Sequence, residues 1–155
     1  MGLTLQFVVG QKQIIINAVE NSNSDLLDEF ETQNLLADFS LHIIPNDLNY
    51  LVNVATELRS REIFGLREHL DTTTFYYDSE EYGAYLVDSE ICSLFSEFKE
   101  TDALEITTKW FDKMQSVYEE DIEVNNDAID AVKTFIQICK KAKKENLDLV
   151  HIWFL

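Results

Sequence analysis

The chain contains three histidines, and histidine is the side chain most often used to move protons near neutral pH. His42 and His151 fall in segments that we expect to be β-strands, with apolar neighbours, while His69 lies in a charged stretch. Histidines among apolar neighbours usually fill a core and hydrogen-bond there. His151 interrupts the most apolar stretch of the chain and needs a hydrogen-bond partner if it is buried. We therefore predict no catalytic residue at these positions.

Motifs for nucleophilic or phosphate chemistry are absent from the sequence. There is no Gly-x-Ser-x-Gly elbow, and four glycines in the whole chain hardly allow a glycine-rich phosphate loop. Cys92 and Cys139 stand at apolar positions of predicted helices, which favours buried free thiols over a disulfide or a zinc site. We therefore expect no cofactor and no metal, and the motifs lean against an enzyme.

One acidic segment approaches a calcium-binding pattern without completing it. Oxygen-bearing side chains occupy alternate positions there, as they do in a calcium loop: Asp121, Glu123, Asn125 and Asp127. Asn126 replaces the glycine of such a loop, and Val132 stands where the bidentate glutamate would be. The sequence therefore predicts a solvated acidic loop ahead of a capped helix.

The chain of 155 residues has a net charge of −17, from 29 acidic and 12 basic residues. This balance excludes nucleic acid as a partner, because phosphate binding needs a surface rich in lysine and arginine. It disfavours anionic membranes for the same reason, and no apolar run approaches the roughly 20 residues of a membrane span. Charge complementarity instead predicts a basic protein as the partner.

The acidic residues are concentrated between positions 78 and 123, where fourteen acids stand against three bases. Tyrosines are interleaved at the start of this segment, and protein-recognition surfaces combine tyrosine rings with carboxylates. Because strand side chains alternate, only about every second ring is expected to point outward. The predicted partner-binding residues are Tyr76, Asp78, Glu80, Glu81, Tyr82, Tyr85, Glu119, Glu120 and Asp121.

The elements that must position these residues are strands and helices that alternate along the chain. Strands are predicted over residues 3–8, 39–43, 72–77, 84–87 and 149–155, the last as a central strand buried on both faces. Residues 11–20 fit a return strand or, as we favour, a short helix. Further helices are predicted over 24–30, 48–58, 89–98, 101–118 and 125–144, and the charged stretch 59–71 is compatible with another short helix without requiring one. The result is a single α+β domain over residues 1–155, with a mixed β-sheet of about five strands packed with five or six helices.

Small size, acidity and missing catalytic motifs together predict a non-enzymatic protein-binding module that recognises a basic partner. An inhibitor of the immunity or antitoxin type is one form of such a module. Two alternatives stay open: a small-molecule-binding protein or enzyme with a pocket not visible in the sequence, and an accessory subunit of a larger assembly. No signal peptide is visible, so we expect a cytoplasmic location.

Overall fold

The computed structural model of the protein describes residues 3–62 and 76–155. Its strands are β1 (Thr4–Gly10), β2 (Leu36–Asp38), β3 (Tyr76–Asp78), β4 (Tyr82–Leu86) and β5 (Asp148–Phe154). Its helices are α1 (Lys12–Glu20), α2 (Ser24–Thr32), α3 (Pro45–Leu58), α4 (Ser89–Ser96), α5 (Ala103–Tyr118) and α6 (Asn126–Glu145), with a 3-10 turn at Glu100–Asp102. The predicted α+β class is confirmed, as is the helix favoured for residues 11–20.

The described strands form one sheet in the order β2-β1-β5-β4-β3, and every neighbouring pair is antiparallel. The predicted mixture of parallel and antiparallel pairs is therefore wrong for this part of the chain. The reason lies in the connections. Between β1 and β2 the chain passes through two successive helices, α1 and α2, and returns to the sheet in the opposite direction, whereas a single crossover helix would have produced a parallel pair.

Strand β5, the last along the chain, lies at the centre of the sheet. It pairs with β1 over seven registered positions and with β4 over five. Leu149, Val150, His151 and Ile152 are all buried, because helices pack on both faces of this strand. The central strand predicted from the continuous apolar run is therefore confirmed.

The helices cover the two faces of the sheet unequally. The short helices α1 and α2 pack on one face, where Val8 and Ile152 meet Ile15 in a small core. The other four helices build a larger core on the opposite face, around Phe7 and Phe135, whose ring centroids are 4.6 Å apart. The face beneath α1 and α2 therefore has the thinner cover.

The strand predicted over residues 39–43 is not present, since β2 lies just before it. Phe39 extends the ladder by one bond, because its N–H donates to the Leu5 carbonyl oxygen at 2.7 Å, and His42 then adopts a left-handed φ of 60°. Leu41 and Ile43 still pack against the core. The alternating apolar pattern therefore indicates that every second side chain is buried. An irregular extended segment can bury its side chains in this way just as a strand does.

Asp47 joins the start of α3 to α5. Its carboxylate accepts hydrogen bonds from the Ile44 N–H at 2.9 Å and the Tyr118 hydroxyl at 2.5 Å, and its carbonyl oxygen accepts from Trp110 Nε1 at 2.8 Å. These bonds satisfy a side chain that is only 4% exposed. The hydrogen bond to Asp47 also raises the pKa of Tyr118 to about 12, because ionised Tyr118 would stand beside a carboxylate.

Gly83 of β4 lies opposite Trp153 of β5, with the indole over its Cα. A Cβ added at Gly83 would come within 2.3 Å of Trp153 Nε1, so either the indole or the strand has to move. We expect Gly83→Ala to lower the free energy of unfolding by about 1–3 kcal/mol in urea unfolding experiments.

The matched control for Gly83→Ala is the same substitution in a Trp153→Leu background. The indole is then absent, so the added methyl group should cost clearly less. An equal cost in both backgrounds would show that the substitution acts somewhere other than at this contact.

Candidate functional site

His151 lies in the middle of β5 and is 1% exposed. Its Nδ1 is 3.1 Å from the carbonyl oxygen of Gln6, to which the Nδ1–H donates, and its ring packs 4.6 Å from that of Phe7. Burial lowers the pKa of His151 to about 4, although the bond to Gln6 opposes this shift, so the ring is neutral at pH 7. Its Nε2 has no hydrogen-bond partner within the described residues. His151 is therefore a core residue whose partner is a backbone carbonyl.

No group of three or more His, Cys, Asp or Glu side chains in residues 3–62 and 76–155 could hold a metal ion. The segment with alternating oxygen side chains leads into α6, where the Asn125 side chain accepts from the Ala128 N–H at 2.9 Å and caps the helix. The capped helix predicted there is confirmed. His42 is exposed between β2 and α3, and His69 lies outside the described residues.

Cys92 and Cys139 are buried and free, as predicted. Cys92 Sγ lies 3.4 Å from the backbone carbonyl oxygen of Cys139, where α4 packs on α6. Burial raises the pKa of the Cys139 thiol well above its usual value, and the hydrogen bond from Cys139 lowers the pKa of Cys92. Both cysteines therefore belong to the helix packing.

The tyrosines of the predicted partner-binding set are divided between the two faces of the sheet. Tyr82 lies on the face covered by α1 and α2, where its ring stacks on that of Tyr77 with centroids 5.6 Å apart. The hydrogen bond to Tyr82 raises the pKa of Tyr77. Tyr85 lies three positions further along β4 and therefore on the opposite face. The side chains of Tyr76 and Asp78 lie outside the described part of the structure.

The other acids of the predicted set are exposed and lie in two turns. Glu80 and Glu81 lie in the turn between β3 and β4. Glu119, Glu120 and Asp121 follow α5, which ends where Glu119 adopts a left-handed φ of 55°. The structure therefore places these five carboxylates in solvent, in two separate segments.

A cavity of about 320 Å³ lies on the sheet face that carries α1 and α2. Its floor crosses four strands and consists of Leu36 (β2), Thr4 and Gln6 (β1), Phe154 (β5) and Tyr82 (β4). Its wall is formed by α2 and the loop before it: Ser22, Ser24, Leu27, Asp28 and Glu31. We call it the inner cavity. Its floor is partly aromatic and includes the polar residues Thr4 and Gln6, and its wall is largely polar and acidic.

A second cavity, of about 350 Å³, lies beside the outer edge of β2. Its lining includes Asp38 at the end of β2, and Asp127 and Asp130 near the start of α6. We call it the outer cavity. Glu31 and Leu36 line both cavities, so the two are adjacent, and together they form what we call the edge groove.

Among the described residues, those that line the edge groove include carboxylates and no lysine, arginine or histidine. Its five carboxylates are Asp28, Glu31, Asp38, Asp127 and Asp130. None of them takes part in the ion pairs found among the described residues, which join Arg61 to Glu97, Lys113 to Glu57 and Lys141 to Glu145. Their negative charge is therefore not neutralised by a neighbouring side chain in this part of the chain.

Local helix stability does not explain these acids. Asp28 and Glu31 are three positions apart on α2, as Asp127 and Asp130 are on α6, so each pair puts two like charges on one side of a helix. Glu31 also lies in the last turn of α2, where the helix dipole disfavours a carboxylate and no base offsets it. Only Asp127, in the first turn of α6, is favoured by the dipole. Residues that oppose local stability in this way are typical of functional sites.

The edge groove and the two acidic turns lie at one end of the sheet, where β1 and β4 begin and β2 and β5 end. The turn with Glu80 and Glu81 leads into β4 at this end. The turn after α5 follows Tyr118, which is bonded to Asp47 at the start of α3, and the chain enters α3 from the end of β2. We call this region the acidic end. It brings together acids that are far apart in the sequence.

Comparisons with protein-family models, curated proteins and solved structures give no match to this chain. Within the described ranges, none of the helices is both long enough and apolar enough to cross a membrane. The geometry and charge of the site itself are therefore what indicates a function.

Protonation of His151 should destabilise the protein as the pH falls from about 6.5 to about 4. The pKa of His151 is about 4 in the folded protein and about 6.5 in an unfolded chain. The unfolded state therefore binds more protons in this window, and the stabilisation, present above about pH 6.5, is lost on acidification. We expect this loss to amount to about 3 kcal/mol in urea unfolding measured across the window.

The control for this prediction is His151→Gln, because carboxylates titrate in the same range. Glutamine retains an N–H donor for the Gln6 carbonyl and carries no titrating group. The unaltered protein should lose about 3 kcal/mol more than the variant over the same pH interval. Parallel curves for the two proteins would contradict the assignment to His151.

Proposed function

We propose that this small acidic protein is a non-enzymatic binding module that recognises a basic partner protein through its acidic end. The observation that carries the proposal is the edge groove, where five carboxylates from α2, β2 and α6 line two adjacent cavities with no base among the described lining residues. A basic segment would supply the missing cations and relieve the repulsion between like charges on α2 and on α6. Nucleic acid and anionic membranes have the same sign of charge as the groove and do not fit it.

The exposed acids of the two turns support the same proposal in a second way. Charges at the rim of an interface steer an oppositely charged partner and raise the rate of association, even where each contributes little to the final affinity. Glu80, Glu81 and Glu119–Asp121 can have this role, because their turns lie at the same end of the sheet as the groove. Tyr82, in the floor of the inner cavity, completes the surface that we propose for the partner, whereas Tyr85 faces the other side of the sheet.

An inhibitor of the immunity or antitoxin type is one form that this proposal takes. Blocking a basic toxin needs a complementary acidic surface and no catalytic group. We place such a protein in the cytoplasm, where two reduced, buried cysteines are stable. The electrostatic part of the binding should weaken as the salt concentration rises, because exposed charges are screened over about 10 Å at 0.1 M salt.

A capture experiment with the full chain as bait tests the proposal. We expect a protein with a net positive charge to be retained from a lysate of the cells that produce this chain, and its recovery to fall with added salt. The double reversal Asp127→Lys/Asp130→Lys should lower the recovery of that same protein about tenfold or more, because two attractive contacts become repulsive.

Two matched variants change the net charge by the same amount elsewhere at the acidic end. Glu80→Lys/Glu81→Lys and Glu119→Lys/Glu120→Lys should slow association and leave most of the recovery, since these residues lie at the rim. Retention of only acidic or neutral proteins, or full recovery of the basic one by all three variants, would contradict the proposal.

A further inference from the structure

The inner cavity has the size of a site for one side chain. Its volume of about 320 Å³ lies at the lower limit of small-molecule pockets, which extend from about 300 to 1,000 Å³. Ser24, Asp28 and Glu31 on its wall are exposed, so the cavity is reached from the surface along α2. A partner that lies on the acidic end can therefore insert a side chain between α2 and the sheet.

The floor of the inner cavity suits a long side chain that carries a planar cation. Leu36 is 7% exposed and Leu27 is half-buried, and both offer apolar surface to methylene groups. Tyr82 and Phe154 are half-buried, with ring centroids 6.5 Å apart and planes inclined by 34°. A cation over the face of such a ring is attracted by its quadrupole, and arginine takes this position more often than lysine.

The wall supplies hydrogen-bond acceptors in the number that a guanidinium group needs. Asp28 and Glu31 lie on one side of α2, and no base lining the cavity neutralises them. The hydroxyls of Ser22 and Ser24 and the amide oxygen of Gln6 are further acceptors. Guanidinium has five N–H donors in a fork that matches a carboxylate, whereas an ammonium group has three and acts as a point charge.

The geometry points to the inner cavity as the anchor site for one arginine side chain of the basic partner. The guanidinium group lies between the rings of Tyr82 and Phe154 and the carboxylates of Asp28 and Glu31. This inference rests on the proposed function and refines it: the outer cavity provides the surrounding negative charge, and the inner cavity provides the specific contact. Arginine in a pocket is a frequent centre of binding energy in protein interfaces.

Binding of two small probes to the full, nitrogen-labelled chain tests the inference without a known partner. The probes are N-acetyl-arginine methylamide and N-acetyl-lysine methylamide, which have the same charge. In amide-correlation NMR titrations we expect saturable shifts at Ser24, Leu27 and Leu36. The arginine probe should bind about threefold or more tightly than the lysine probe, as expected from ring stacking and bidentate hydrogen bonding.

Two sets of variants separate charge from ring stacking. Asp28→Asn/Glu31→Gln should weaken binding of the arginine probe about tenfold. The control, Glu105→Gln/Asp112→Asn, removes two exposed charges from α5, on the other face of the sheet, and should leave binding unchanged. Tyr82→Leu should abolish the preference for arginine while Tyr82→Phe retains it, and circular dichroism checks that each variant is folded.

Equal affinities for the two probes, absence of saturable binding, or shifts confined to other residues would overturn the arginine site. So would an unchanged arginine preference in folded Tyr82→Leu. None of these results affects the capture experiment with Asp127→Lys/Asp130→Lys, which tests recognition of a basic partner as such. Failure of the arginine site and failure of the proposed function are therefore distinguishable.

Discussion

The pairing of β5 between β1 and β4 is the interaction on which the rest of the structure depends. It joins the β1–β2 pair to the β3–β4 hairpin, which have no other link within the sheet. It also brings residues 148–154 of the chain against residues 4–10, so the sheet is completed by contacts of the longest sequence separation. The floor of the inner cavity exists only because this pairing places Phe154 beside Tyr82 and Thr4.

Much of the fold follows from local patterns that burial enforces. The continuous apolar run at 149–155 predicts a strand buried on both faces, as β5 is. Asn146 follows the last residue of α6 with a left-handed φ of 53°, which is the conformation typical of a helix end. The errors arose where one pattern fits two structures. Alternation at 39–43 fits a strand and an extended loop equally, and helices between strands fit parallel and antiparallel sheets.

The candidate site is less accessible from the sequence, because a sequence shows how charge is distributed along the chain and not how it is distributed in space. Segment 78–123 holds most of the net negative charge, whereas the carboxylates of the edge groove come from α2, β2 and α6, outside it. A local signal existed in the like-charged pairs Asp28/Glu31 and Asp127/Asp130, three positions apart. Their convergence depends on β2 as the edge strand, and the sequence pattern placed that strand too late in the chain.

The position of the edge groove beside β2 connects its charge to a general problem of β-sheets. An edge strand exposes unpaired backbone groups with which a strand of another chain can pair. Proteins prevent this pairing with short edge strands and charged side chains. β2 has three residues, and carboxylates stand on both sides of it, so a second copy of the chain meets repulsion there. A basic segment meets attraction at the same place. Under the proposed function, the same carboxylates would oppose self-association and favour the basic partner, and specificity would arise as a difference between two affinities.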